Sequence, residues 1–215
     1  MKIEPSAAFH LLHATPQAVL ATHSTPMPGY PYATPIPLVV DEAHCPLLLV
    51  SALAEHTRNL LADGRASLAV SENCNANIQE AARLTLVGDF TPFSAPAETI
   101  ARYCRYLPAA EQYLQLDFMF FRMHVERARY IAGMGRMGWL GINDWAAAKR
   151  LTATEEADLL AEAEKHSAPG IRLLGIDAYG IDYLAGERRS RWLAEAPMSA
   201  EQLASALPAI IKTLA

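Results

Sequence analysis

The 215-residue chain is 52% hydrophobic and 19% charged, and its formal net charge is −5. This balance excludes a disordered or coiled-coil polypeptide and argues against a general polyanion binder, so nucleic acid is not an expected partner. The length suits one medium domain, or one domain with a modest annex. The longest apolar run, residues 46–54, falls far short of the ~20 residues that cross a bilayer. The start of the chain lacks a signal-peptide pattern, so a cytoplasmic protein with no membrane partner is expected. Cys45, Cys74 and Cys104 are odd in number and form no CxxC, which indicates neither a disulfide framework nor a zinc knuckle.

Residues 17–22 (QAVLAT) form a short apolar strand. Three prolines and a glycine in residues 24–31 dictate a turn, because Pro fixes φ and Gly frees it. Extended structure resumes over 32–41, where Pro35 and Pro37 remove two amide donors on one side and confine the strand to an edge or a bulge. Residues 47–51 (LLLVS) are a buried strand suited to pair with it as a hairpin. Over 54–64 a helix is expected, with Leu53, Leu60 and Leu61 on one side and Gly64 as its C-terminal cap.

Residues 65–70 return to strand, and 83–92 alternate Leu84, Leu86 and Gly88 against Arg83, Thr85 and Val87. Residues 96–107 read as helix. Residues 117–131 read as a long strand, with Met119, Phe121, Met123 and Val125 on one face and Arg122, His124 and Glu126 on the other. After Trp139 the pattern changes. Thr152 and Glu155 form a capping-box pair that opens a helix over 152–165. Two short strands flank a turn within 171–183, and a second capping box, Ser199 with Gln202, opens an amphipathic helix over 199–214. The fold class expected is mainly β (α+β): a barrel-like body over residues 1–148 and a small C-terminal α/β annex over 149–215.

The most informative stretch is strand, polar knot, helix, strand across residues 47–70. The knot Glu55-His56-Thr57-Arg58-Asn59 sits in the helix's first turn. Helix-start amides attract negative charge, a guanidinium grips two oxygens, and Ser51 and Thr57 offer hydroxyls, so the arrangement suits a phosphate. A solvated polar first turn is the commoner reading of the same residues.

The runs LLLVSALAEHTRNLLADGRASLAV, AARLTLVGDF and FFRMHVERARYIAGMGRMGWLG together resemble the pyridoxamine-phosphate-oxidase-related flavoproteins. Within these they are most similar to the branch holding the HugZ-type haem-utilisation proteins and the CREG-like barrels. The similarity covers residues 17–141, and residues 151–215 resemble the α/β module of that branch, most clearly in GIDAYGIDYL.

The resemblance implies a six-stranded split barrel that pairs into a homodimer with FMN in a cleft between subunits. Carried over by position, it implies Arg58 on the FMN phosphate, with Ser51, His56, Thr57 and Asn59 around it. Backbone groups of residues 33–36, including Thr34 and Ile36, would face the isoalloxazine edge. Arg83 would point into the same cleft, and Arg136 and Trp139 would reach across the subunit boundary. The implied activity is that of an FMN-dependent oxidoreductase on a small substrate. Two alternatives come from the same branch: a non-catalytic CREG-like barrel, and a haem-binding or haem-degrading HugZ-type protein. HugZ-type relatives ligate haem through a histidine near the C-terminus. No histidine follows His166 here, which makes His166 the candidate ligand.

Other features carry weaker signals. His10 and His13 are spaced to share a metal, but no third ligand is placed by sequence, and surface histidines are the simpler account. His124 reads as a hydrogen-bonded barrel residue. Residues 133–139 lack the phosphate-loop signature, and no G-x-S-x-G elbow occurs. Met119, Met123, Met134 and Met137 read as packing. Arg188, Arg189 and Arg191 form a basic cluster, read as a solvated turn or strand end, with an anion site as the lesser alternative.

Overall fold

The computed structural model describes residues 3–72, 78–132, 136–166 and 169–214. Cys74, Met134 and the glycines at 133 and 135 lie outside the described residues. The chain opens with helix α1 (Pro5–Ala14), followed by β1 (Gln17–His23), β2 (Pro31–Pro37), β3 (Val39–Val40) and β4 (Pro46–Ser51). Next come α2 (Glu55–Ala62), β5 (Arg65–Ser71), β6 (Ala82–Pro92), α3 (Ala97–Tyr106) and α4 (Ala110–Tyr113). The body closes with β7 (Phe118–Ala132), β8 (Met137–Gly141) and α5 (Ile142–Ala146). These strands form one antiparallel sheet in the order β2-β1-β5-β6-β7-β4-β3, with β8 also paired to β7, curled into a half-barrel. Six long strands carry it, and β3 and β8 are short additions.

The prolines do what the sequence demanded: β2 lies at the sheet's edge. The expected hairpin does not form as drawn. Limited to one-sided pairing, β2 takes β1 through the turn at 24–30, leaving only Val39 and Val40 to pair with β4. The long partner of β4 is instead β7. Helix α2 also differs from expectation. Leu60 is buried, but Leu53 precedes the helix and is 77% exposed, and Leu61 is exposed too. Gly64 is no left-handed cap, since Asp63 caps the helix in extended conformation. Gly64 is needed for close approach, because a Cβ there would lie 2.6 Å from the Phe90 carbonyl oxygen.

The concave face of the sheet, with Leu20, Leu68, Leu84, Leu86, Phe90, Phe121 and Met123, closes on Phe9 and Leu12 of α1. Full burial of each such side chain contributes about 1.5–3 kcal/mol. The annex comprises α6 (Ala153–Glu164), β9 (Ile171–Asp177), β10 (Gly180–Ala185), β11 (Arg188–Leu193) and α7 (Ala200–Lys212). Both capping boxes form, at Thr152 with Glu155 and at Ser199 with Gln202. The basic cluster is part of a third strand, β11, that the sequence reading did not resolve. The annex core, Leu159, Leu160, Ile176, Ile181, Leu203 and Leu207 among others, draws only on residues from Leu151 onward.

Body and annex meet across buried polar groups. Arg102 on α3 donates from Nε to the Val40 carbonyl at 2.8 Å and pairs with Glu156 of α6. Tyr106 donates to Asp182 Oδ2 at 2.6 Å. His13 on α1 is fully buried, against the expectation of a surface histidine, because β9, β10 and β11 close over α1 and set Asp177 and Asp182 beside its ring.

Candidate functional site

The residues singled out at the start of α2 hold the local turn. Thr57 is buried and donates from Oγ1 to the Ser51 carbonyl at 2.7 Å, and Ser51 Oγ accepts from the Leu53 amide at 3.2 Å. Asn59 is fully buried. Its Oδ1 accepts from the amide and hydroxyl of Thr25, both at 2.9 Å, and its Nδ2 donates to Thr22 Oγ1 at 3.0 Å, pinning the proline-rich turn to the helix. Its amide is thus engaged inside the chain. His56 is half-buried, and burial lowers its pKa. Arg58 is exposed, and its Nη1 folds back on the Leu53 carbonyl at 3.2 Å.

The other candidates lie elsewhere. On β2, Thr34 is half-buried while the Ile36 side chain sits in the core. Arg83 on β6 is half-buried, with its Nε enclosed and without a hydrogen-bond partner among the described residues. Arg136 is exposed at the entry to β8. His166, at the end of α6, is exposed and lies 3.5 Å from Glu162. Trp139 on β8 is 48% exposed, with the Arg127 guanidinium carbon 3.5 Å from its ring centroid and that of Arg129 at 5.1 Å. A cation over an indole face is held by the ring quadrupole, so tryptophan and arginines fix one another.

Strand register gathers the convex face of the sheet into rows. One row runs Pro35, Val19, Ala69, Thr85, Arg129 and Trp139 across six strands. Its neighbour runs Ala33, Ala21, Ser67, Val87 and Arg127. This outer face is therefore built of small or apolar side chains, ending in two guanidiniums and an indole. Two depressions open on it. One, of about 440 Å³, is lined by Ala21, His23, Ser67, Val87, Asp89 and Glu126 among others. The other, of about 460 Å³, is lined by Val19, Pro35, Ala69, Ser71 and Glu72 among others. Concave apolar surfaces with a few polar groups at the rim are where planar ligands bind. The sequence reading missed Arg127, Arg129, His23 and the small floor residues. The signal was present, since these are the alternate, outward positions of β1, β5, β6 and β7, but alternation does not say which exposed face has a use.

A second polar centre lies at the junction of body and annex. His13 Nε2 and His44 Nδ1 are 3.0 Å apart, and His13 Nδ1 lies 3.5 Å from both Asp177 and Asp182. Arg191 donates to Asp182 Oδ1 at 2.9 Å and to Asp177 Oδ2 at 2.7 Å. His44 takes a left-handed φ of 63°, a conformation unusual outside glycine, with its ring stacked on Phe9 at 4.2 Å. Burial pushes the His44 imidazole down to about 3. Burial, the largest single influence, opposes ionisation of Asp177 and Asp182, yet the Arg191 charge and the neighbouring His13 together hold both below the usual carboxylate range. His13, His44 and Asp177 are close enough to share a metal ion, their candidate ligand atoms lying within 4.8 Å of one another. The Arg191 guanidinium already supplies the cation to this Asp177 oxygen, so the cluster is an internal ion-pair network.

The profile of the family described as pyridoxamine 5'-phosphate oxidase matches residues 5–132. The chain belongs to that family. The half-barrel with its helices is the family's split-barrel α+β fold. A heme binding protein from Mycobacterium smegmatis is 26% identical, with 99% of each chain covered and a TM-score of 0.64. A protein of unknown function from Agrobacterium tumefaciens is 26% identical, with 96% of this chain and 94% of that chain covered and a TM-score of 0.76. The non-canonical heme oxygenase HOZ, chloroplastic, of Arabidopsis thaliana is 31% identical over 118 residues, which is 54% of this chain and 36% of that protein. The match thus spans about a third of that relative. Among the described residues no helix is long and apolar enough to cross a membrane.

Proposed function

We propose that this split barrel binds haem on the convex face of its sheet and that a second copy of the chain covers the bound ring. The observation that carries the reading is the row Pro35, Val19, Ala69, Thr85, Arg129 and Trp139, since its first four side chains are small or apolar and a cation and an indole end it. A porphyrin is flat and apolar with two carboxylates at one edge. Ala69 and Val19 would receive the ring, and Arg127 and Arg129, held in place by Trp139, would take the carboxylates in forked hydrogen bonds. His23 lines the adjoining depression and supplies an imidazole for iron, whereas His166 lines neither depression. The two relatives named for heme support the same choice. Haem, when bound, supplies redox and oxygen chemistry at iron, and the chain's part is to orient the ring and exclude water. Val19, Val87, Met137, Trp139 and Ile142 remain exposed in the single chain, an apolar area suited to a homodimer interface.

The second reading is FMN, and one observation favours it. Arg58 is an exposed guanidinium in the first turn of α2, where a phosphate would meet helix-start amides. Absorbance titration of the purified chain with haemin and, separately, with FMN tests both. The haem reading expects a Soret band that saturates near one haem per chain and shifts or weakens in His23→Ala and Trp139→Ala. Flavin uptake that is lost in Arg58→Ala gives the second reading instead. A chain that takes up neither ring removes both.

A further inference from the structure

The basic cluster of β11 does not simply face water. It forms one wall of a groove of about 740 Å³, whose other walls are α1 and the barrel ends of β5, β6 and β7. Arg136, Arg188, Arg189 and His10 all line this groove, with Glu72 the one carboxylate among its lining residues. We propose that the groove is a binding site for a small organic dianion carrying phosphoryl or paired carboxylate groups. It shares Ser71 and Glu72 with the rim of the second depression on the convex face, but its arginines line neither depression there, and the proposal does not rest on the haem reading.

The case begins with charge. Arg136 and Arg188 are exposed, and neither forms a salt bridge among the described residues. Arg191, also in the wall, faces two carboxylates, Asp177 and Asp182, and the spare negative charge of that cluster is set against Arg189. Arg136 and Arg188 against Glu72 therefore leave one positive charge without a counterion among the described lining residues, in a chain whose net charge is −5. Gathering like charges at one place is unfavourable unless an anion shares the space.

The donors are also preorganised. Arg189 donates to the His13 carbonyl and lies over the Tyr106 ring, its guanidinium carbon 4.7 Å from the centroid, so its head group is fixed. Its Nε is enclosed and has no hydrogen-bond partner among the described residues, a donor that an oxyanion at this wall would satisfy. His10 accepts at Nδ1 from Arg191 Nε at 3.4 Å, which puts its ring proton on Nε2. Burial, then the Arg191 charge, lowers this imidazole to about 4, so at neutral pH it is a neutral donor with a fixed tautomer. Fixed donors cost little entropy on binding, and an anion with two charged oxygens answers both the charge excess and the fork geometry.

The test is isothermal titration of the full chain with inorganic phosphate and, separately, with succinate. Ionic strength is held constant with chloride, because exposed charges are screened by salt. The site predicts saturable one-to-one binding of at least one of the two. Which of them binds more tightly identifies the ligand as phosphoryl or dicarboxylate. Arg136→Ala/Arg188→Ala, which changes only exposed side chains, should weaken it at least tenfold. Arg189→Lys keeps the charge but removes the Nε donor and should weaken it by a smaller factor. Absence of saturable heat with both anions overturns the proposal, as does a double variant that binds as tightly as the parent.

Discussion

Replacing Arg191 with methionine tests whether the annex sheet, where it closes over α1, is held by charge. The guanidinium is 3% exposed and bonds two carboxylates that are each 1% exposed. Removing one partner of a buried ion pair costs about 3–5 kcal/mol, because the remaining charge stays enclosed. Two local contacts soften the loss here: Asp177 keeps the Tyr179 amide at 2.8 Å, and Asp182 keeps the Tyr106 hydroxyl at 2.6 Å. The lower part of that range, about 3 kcal/mol, is therefore expected. Against a typical total of about 5–15 kcal/mol this is a large fraction. Urea denaturation at pH 7, followed by circular dichroism, measures it as a fall in midpoint at unchanged slope. Adding Asp182→Asn to Arg191→Met removes one stranded charge and should recover part of the loss, which also provides a foldable comparison. A single variant that loses less than about 1 kcal/mol would refute the claim that this buried charge is structurally necessary.

Acid should destabilise the protein from about pH 6.5 downward through its buried histidines. His44 and His10 titrate in the folded state only near 3 and 4, while in the unfolded chain they protonate below about 6.5. The unfolded state then binds more protons, so stability falls as pH drops through that window, by about 3 kcal/mol from His44 alone at pH 4. Asp41, raised to about 6 by burial, acts in the opposite sense, its contribution shrinking as pH rises through that value. Thermal midpoints from pH 4 to pH 8 check the net effect, and a flat profile contradicts it. Asn59→Ala strips the Thr25 amide of its acceptor and should cost about 1–3 kcal/mol, with faster proteolysis of the turn at 24–30. Gly88→Ala drives a Cβ into the His124 carbonyl at the bulge between β6 and β7, and a loss of about 3 kcal/mol in thermal unfolding is expected.

Much of the architecture was legible because local rules decided it. Both annex helices begin at capping boxes visible as T-x-x-E and S-x-x-Q, and Pro35 and Pro37 announce an edge strand wherever it lies. Alternation in residues 83–92 and 117–131 gives the inward and outward sides of β6 and β7 directly. Pairing partners were less legible. That β4 joins β7 rather than β2 depends on which long strand has a free edge, a property of the whole sheet. Gly64 was read as a cap from its position after a helix, but its cause lies in β6, twenty-six residues away. The candidate site was the least legible part. Arg58 stood out by motif, whereas Arg127 and Arg129 looked like ordinary outward charges until register set Trp139 beside them. His13 and His44 become neighbours only when the annex folds back over α1.

The ion pairs between body and annex give the chain an asymmetry of dependence. Near residue 150 the polypeptide passes from one apolar core to another, while Leu174, Ala178 and Tyr179 of the annex pack into the body's own apolar clusters. Each fragment alone would therefore be crippled, one carrying Arg102 and His13 without their carboxylates, the other carrying Glu156 without Arg102, although Asp177 and Asp182 would keep Arg191. Mixed together, the same fragments would find each other with high selectivity, since few other surfaces could match that arrangement of charge. The linker is thus dispensable to cohesion, and what joins the two lobes is a lock whose key is divided between them.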